Sequence, residues 1–423
     1  LIPAALRVRS FRFQWSADLL TSWAFEMETL ILGWYVMVHT GSVLLLTVFS
    51  SLQFVGTLAA PMFGVLGDQL GGRVVLCALR ATYGVLAALL MVLALTGVLT
   101  PAWVLVVAAL AGVVRPSDLV MRNSLIGETI PPAHLVGALG MSRATSDSAR
   151  VVGALTGAGL STALGIGPTY VFVTGLYLAS LALTLGVSRK QSAVCYSGLA
   201  PVGVPRSSRW GDLRDGLLHV LRTPALLALM WLAFLVNLTA YPVSGGLLPY
   251  VAKSIYRVDA TGLGWLVASF SLGGLLASTA MVVTGGSYRP GRSTLVHTAL
   301  WYAVLLGFGH VSGLGAGLIV LFAAGFVQNV AMISLTATLF AAAGQGFRGR
   351  VMGVRMLAVY GLPLGLMASG ALIDRIGYPL TISASAVLGL VFTVLIGIRW
   401  RASLWPRRRE QAQTGTTSVP QRA

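Results

Sequence analysis

With 423 residues, 56% of them hydrophobic and only 10% charged, the chain leaves no room for a separate soluble domain of ordinary size once its apolar segments are counted. A formal net charge of +17 would suggest nucleic acid in a soluble protein, but here its distribution argues for membrane topology and excludes nucleic acid as a partner. Asp, Glu, Lys and Arg are absent from 29–67, 151–188 and 293–347, and absences of that length mark a polytopic membrane protein.

Since a helix needs about 20 apolar residues to cross a bilayer, the uncharged runs convert into helices once their turn signals are found. The run 29–67 breaks at His39-Thr40-Gly41-Ser42, 81–114 breaks at 96–101, and 151–188 breaks at 165–168, giving three hairpins and six spans. One long polar interval follows, 189–222, in which 197–208 is rich in Gly, Pro and Ser and reads as a linker. From 211 to 222, Leu213, Leu217, Val220 and Leu221 recur at helical spacing opposite Asp212, Arg214, Asp215, His219 and Arg222, the pattern of a surface helix on the inner leaflet. Pro224 separates it from the next span. In the second half, 223–252 and 260–288 are single spans, 293–347 is a hairpin turning near 310–317, and 356–373 and 376–398 are the last two. The expectation is an all-α membrane protein of twelve transmembrane helices in two six-helix bundles, 1–187 and 224–400. A cytoplasmic linker with its amphipathic helix, 188–223, joins them, and a basic cytoplasmic tail, 401–423, follows, with Arg407, Arg408 and Arg409 as a solvated flank.

Placing both termini in the cytoplasm leaves only Lys253, Arg257 and Arg375 outside, so 26 of the 29 Lys and Arg fall on the inner side or in inner halves of helices. That positive-inside bias places the chain in a cell (inner) membrane with both termini cytoplasmic. No cleavable signal pattern precedes the first span. The 50 glycines exceed average usage, and Gly153 with Gly157, and Gly361 with Gly365, are candidates for close helix contact. Cys77 in the third span and Cys195 in the central loop imply no disulfide framework. The chain is expected to act as a monomer.

Gly64-x-Leu66-x-Asp68-x-Leu70-Gly71 ends the second helix, and Gly370-x-Leu372-x-Asp374-x-Ile376-Gly377 ends the eleventh. By the helix count the two copies run in opposite senses, as in secondary transporters built from inverted repeats. The stretch Gly64-Val-Leu-Gly-Asp-Gln-Leu-Gly-Gly-Arg73 resembles the signature loop of the major facilitator superfamily, with Gln69 and Gly72 replacing residues that are usually basic. Other stretches are similar to its drug:proton antiporter branch, which includes macrolide and siderophore exporters. They are Glu26-Met-Glu28 leading to Gly33-Trp34-Tyr35, Ala149-Arg150-Val-Val-Gly153 and Arg348-Gly-Arg350-Val-Met-Gly353. The resemblance covers nearly all of the chain and implies a proton-coupled exporter working by alternating access, with Asp68 and Arg73 in a gating loop. Asp68 at a helix end is a latch, because it is costly to leave unpaired when the inner gate closes and finds a helix N-terminus or Arg in one state only. Asp374 occupies the matching place in the second copy.

Ionisable groups inside a bilayer are functional hypotheses by default. If the first helix begins near Gln14, Glu26 and Glu28 sit roughly 18 to 21 Å in, near the midplane, where a carboxyl takes up and releases a proton as its surroundings change. Residues two apart lie about 200° around a helix. One of the two therefore carries the proton, with Glu26 favoured because the family has its polar residue there, and the other pairs with Arg on a neighbouring helix. The fourth helix carries Arg115, Asp118 and Arg122 on one face and the fifth carries Arg143, Asp147 and Arg150. Set against each other, these faces make an interhelical inner gate, with Arg150 deep enough to reach the first-helix carboxylates, Glu28 foremost.

The second half offers hydrogen bonds without charge: Asn237 in the seventh helix and Gln328 and Asn329 in the tenth, expected among Trp231, Phe234, Tyr241, Phe322 and Phe326. An apolar, aromatic cavity with a few amides suits amphipathic organic molecules better than sugars or small ions. No metal-ligand cluster, nucleotide loop or paired nucleophile and base stands out, so neither an enzyme nor a cofactor is expected, and without a Gly-x-x-x-x-Gly-Lys loop ATP is not the energy source. The reading is a secondary transporter whose partners are a small-molecule substrate, protons and the lipid bilayer, exporting hydrophobic or amphipathic compounds. Import, export of an anionic metabolite such as a siderophore, and a non-transporting membrane receptor remain as alternatives.

Overall fold

The computed structural model describes residues 8–58, 70–129, 132–187, 209–284, 289–344 and 347–404, and the regular secondary structure among them is helical. The first half contains α1 (Arg9–Thr40), α2 (Val43–Leu52), α3 (Gly72–Leu95), α4 (Pro101–Thr129), α5 (Pro132–Leu164) and α6 (Ile166–Leu185). The surface helix α7 (Arg209–Arg222) follows. The second half contains α8 (Pro224–Thr239, continued to Ile255), α9 (Ala260–Val283), α10 (Pro290–Phe308), α11 (Leu314–Ala343), α12 (Arg348–Ala358 with Gly361–Ile376) and α13 (Tyr378–Arg399). Leaving aside α7 and the short helices Val55–Leu58 and Arg401–Leu404, twelve helices stand among the described residues, and eight of them (α3, α4, α6, α8, α9, α11, α12 and α13) are long and apolar enough to cross a membrane. The helix α1 carries Asp18, Glu26 and Glu28, and α2 ends at Leu52, before a short 3₁₀ turn at Val55–Leu58.

The turns fall where the sequence breaks. Gly41, at φ +64°, ends α1 and donates its N–H to the Met37 carbonyl, and Ser42 Oγ caps α2 by accepting from the Leu45 N–H at 3.2 Å. Two spans depart from expectation. Instead of running straight, α8 passes through π-helical segments Val243–Leu247 and Val251–Ile255, because Pro249 lacks an N–H and Gly245 and Gly246 loosen the preceding turn. Beginning at Arg348, eight residues before the expected Met356, α12 is broken at Val359 and Tyr360.

Within the first half, α1 packs against α4, α5 and α6, and α3 lies along α6. Within the second, α11 packs against α9 and α10, and α10 against α13. Across the halves α2 meets α12 and α5 meets α9. Between membrane helices the hydrophobic effect gives little, so close van der Waals packing decides the contacts. A Cβ on Gly153 would stand 2.8 Å from Glu26 Cβ, and one on Gly157 3.0 Å from Met27 Cα, so these glycines let α5 lie directly on α1. Gly361, where a Cβ would stand 2.7 Å from the Phe234 carbonyl oxygen, and Gly365, which faces the Leu238 backbone, do the same for α12 on α8.

Direct cross-half bonds are made between α2 and α12, where Ser51 Oγ donates to the Pro363 carbonyl at 3.2 Å, and in the half of the bundle remote from α7. Lys253 Nζ donates to the carbonyl oxygens of Met37 at 2.8 Å and Val38 at 3.1 Å, and Thr261 Oγ1 lies 3.2 Å from Thr162 Oγ1. The apolar core there is shared, joining Leu30, Ala154 and Ala158 of the first half to Leu247, Leu263 and Phe308 of the second.

Candidate functional site

Between the halves lies a cavity of about 370 Å³, walled by residues of α1, α2, α4, α5, α8, α9, α11 and α12. Its apolar wall includes Phe49, Phe54, Leu263, Val267, Phe270 and Leu362, and its polar groups include Glu26, Gln53, Arg115, Arg150, Asn237 and Gln328.

Glu26 faces this cavity from α1, and its Oε1 lies 3.4 Å from Arg150 Nε on α5, where Gly153 allows the two backbones to approach. Both side chains keep some exposure, 18% for Glu26 and 46% for Arg150, as a pair on an open cavity wall should. Arg115 enters from α4, donates to Gln53 Oε1 at 2.5 Å and stacks its guanidinium 3.0 Å from the centroid of Phe25. Glu28, about 200° further round α1, points away from the cavity, and its Oε2 accepts from the Tyr177 hydroxyl at 2.8 Å. Tyr177 in turn stacks on Tyr83 with centroids 5.6 Å apart. Arg150 thus pairs with Glu26, not with Glu28 as the sequence suggested.

The expected α4–α5 charge network does not form as one unit. Asp118 Oδ2 lies 2.6 Å from Arg122 Nε, and Arg122 reaches Asp18 Oδ1 at 3.6 Å and Ser22 Oγ at 2.9 Å, all on the α1 side. Arg80 of α3 completes the group by bonding both Asp18 and Thr184. These four ionisable side chains are buried inside the first half, with Arg80 fully inaccessible. The separation follows from α1, which lies against both α4 and α5, so each charged face meets α1 rather than the other. Asp147 stays with Arg150, lining with Gln328 and Asn329 a small recess of about 40 Å³ beside the main cavity.

Other expected residues divide by helix rotation. Asn237 lines the cavity while its Nδ2 donates back to the Ala233 carbonyl at 2.8 Å. Gln328 lines both cavity and recess. Asn329 is engaged in α9 packing, donating to the Gly274 carbonyl and, at 2.7 Å, to Ser278 Oγ. Of the five aromatics expected around these amides only Tyr241 reaches the cavity, and Trp231 is 55% exposed on the outer flank of α8. Arg73 donates to the Leu185 carbonyl at the C-terminal end of α6, where the helix dipole favours a cation. Asp374 is exposed at the end remote from α7. Asp68 and the first copy of the repeat from Gly64 to Gln69, the linker 188–208 and the tail 405–423 lie outside the described residues, as does the Arg143 side chain.

Arg80 was missed because it stands just before the apolar run starting at Ala81. Its signal was a lone cation about 12 Å inside α3. The Tyr177 partner of Glu28 had a fainter signal, a second tyrosine, Tyr170, seven residues before it on the same face of α6.

The Major Facilitator Superfamily profile matches residues 15–362. The multidrug efflux pump Tap of Mycolicibacterium fortuitum is 27% identical over 253 residues, a match spanning 59% of this chain and 58% of that protein. In fold, the chain is similar to the nucleoside transporter NupG, at 13% identity and TM-score 0.68 over 94% of this chain and 100% of that one. It is also similar to a bacterial homologue of the human lysosomal transporter Spinster in an inward-facing, unoccupied conformation, at 13% identity and TM-score 0.69 over 94% and 97%. A third such structure is the human organic anion transporter MFSD10, at 16% identity and TM-score 0.59 over 93% and 100%. A polytopic helical chain whose two halves enclose a central cavity, and whose sequence matches this profile over most of its length, is a multi-pass membrane protein of the Major Facilitator Superfamily.

Proposed function

We propose that the chain exports amphipathic or hydrophobic small molecules in exchange for protons, by alternating access around the central cavity. The observation that carries this reading is the Glu26–Arg150 pair in the wall of a largely apolar cavity shared by both halves. Proton uptake at Glu26 removes one charge of the pair, releases Arg150 and loosens the tie between α1 and α5, while proton release restores it. Occupation of the cavity and protonation of Glu26 then compete for one wall, which is the linkage an antiporter needs. Glu28, enclosed with Tyr177 away from the cavity, is a second proton site in this reading.

The two bundles correspond to 1–187 and 224–400, with 188–223 as the cytoplasmic linker, 401–423 as a basic tail, and a cell membrane in which both termini are cytoplasmic. In that orientation the bonds from Lys253 and Thr261 close the outer end. Arg115, Asp118, Arg122, Asp147 and Arg150 stand toward the inner side as gate residues, with Arg73 in the first turn of α3, Asp68 four residues before that helix in the sequence, and Asp374 at the outer end of α12. The transporter acts as a monomer and has no catalytic role.

Inside-out vesicles acidified and followed with a pH dye test this. Lipophilic cations, neutral antibiotics and anionic chelators are added in turn, and substrate-induced loss of the gradient is expected in wild type and absent in Glu26→Gln. No response across the panel, with folded protein present, refutes proton-coupled export. An anionic substrate is the second reading, favoured because Arg115 and Arg150 both face the cavity, and a response confined to the chelators selects it.

A further inference from the structure

A second concavity, of about 220 Å³, lies between α7, the first turns of α8 and the first part of α12. It is walled by Leu217, Leu221, Trp231 and Leu357, which are 42%, 55%, 55% and 41% exposed, over the buried Val220. Four large apolar side chains thus stand open along one groove. Trp231 stands seven residues past Pro224, roughly 10 Å along a helix that crosses the bilayer, so the groove opens on the lipid-facing flank of α8 near its membrane entry.

The rim carries positive charge. Arg214, Leu217 and Leu221 stand at i, i+3 and i+7, so an exposed Arg ends the row of side chains that walls the groove, and the exposed Arg222 follows Leu221. On the other face Asp215 is turned to Arg350, 3.9 Å away, and Gly216 lies against the Arg350 backbone. The groove therefore combines a chain-sized apolar slot with cations at the membrane surface. Hydrocarbon surrounds such a slot, and basic side chains beside it attract anionic lipid.

We propose that this groove holds one acyl chain of an anionic phospholipid, with its phosphate between Arg214 and Arg222. The lipid fills the gap between α7 and the second half and fastens the surface helix at the start of α8. The assignment is independent of which substrate the central cavity carries.

The test uses the full chain purified in detergent, with phosphatidylglycerol or phosphatidylcholine of equal chain length added and bound lipid counted by native mass spectrometry. Wild type is expected to retain one phosphatidylglycerol with roughly thirtyfold preference, from ~1 kcal/mol for each of the two basic side chains near an anionic headgroup. Arg214→Gln with Arg222→Gln abolishes that preference. Leu221→Trp and Leu357→Trp fill the groove from two different helices and reduce binding of both lipids, whereas Leu178→Trp, on the exposed flank of α6, does not. Lipid binding unchanged by both groove substitutions, or lowered equally by the α6 control, overturns the proposal. So does absence of retained lipid from wild type, the result expected if another part of this chain covers the groove.

Discussion

Arg150 Nε on α5 lies 3.4 Å from Glu26 Oε1 on α1, and three residues further along α5 Gly153 takes the place beside the Glu26 backbone. The ion pair and the helix contact are thus one feature: without the glycine, the carboxylate would be pushed out of reach. Because both side chains of the pair keep some exposure, its worth to stability is about 1 kcal/mol or less, and its importance lies in transport. A cycle of Glu26→Gln, Arg150→Gln and the double variant is expected to give non-additive losses of coupled transport with little change in melting temperature. Additive losses would sink the pairing.

Gly153→Ala separates the packing contribution from the charge. A Cβ there collides with Glu26 Cβ and with the Trp23 carbonyl, at 3.1 Å, so a loss of roughly 1–3 kcal/mol is expected. Gly175→Ala on α6 meets nothing within 4 Å and is expected to be neutral or stabilising by up to about 1 kcal/mol. Thermal unfolding of the two variants in one detergent decides the matter.

Arg80 and Asp18 form a buried pair that the cavity does not touch, and removing one partner strands the other charge. Arg80→Met alone is expected to cost about 3–5 kcal/mol and to reduce the amount of folded protein sharply. Asp18→Leu together with Arg80→Met recovers much of that loss, because Arg122 keeps Asp118 as its counter-ion at 2.6 Å. Size-exclusion profiles and melting curves of the three proteins check it, and equal losses in single and double variants would contradict the account.

Lys253 ties the second half to the C-terminal carbonyls of α1 through two hydrogen bonds, of 2.8 and 3.1 Å, where the helix dipole also favours a cation. Lys253→Met is expected to shift the balance toward opening at that end by about 1 kcal/mol, or about fivefold. A cysteine at the cavity residue Thr29, with Cys77 and Cys195 replaced by Ser, reports it as faster labelling by a membrane-impermeant thiol reagent applied from that side. Unchanged labelling would rule out the latch.

Glu28 and Glu26 stand two residues apart yet see different surroundings, one enclosed with Tyr177 and the other facing the cavity. Glu28→Gln is expected to retain substrate-induced proton release, since its neutral amide still accepts the Tyr177 hydroxyl, whereas Glu26→Gln loses it. The dye assay in inside-out vesicles distinguishes them. The reverse outcome would make Glu28 the coupling carboxyl.

The membrane class, the order of the helices, the surface helix and the turns at Gly41 and Gly165 were legible in the sequence, because bilayer thickness, missing charge and glycine conformation act locally. The small-residue pairs Gly153 with Gly157 and Gly361 with Gly365 were legible for the same reason. Which charge meets which was not. Arg115, Asp118 and Arg122 share a face of α4, but only the position of α1 decided that Asp118 and Arg122 join Asp18 and Arg80 while Arg115 turns to Gln53. Of the expected aromatics, Tyr241 entered the cavity and Trp231 the outer flank through the rotation of α8, an angle set by packing against α12 and not by any spacing along the chain.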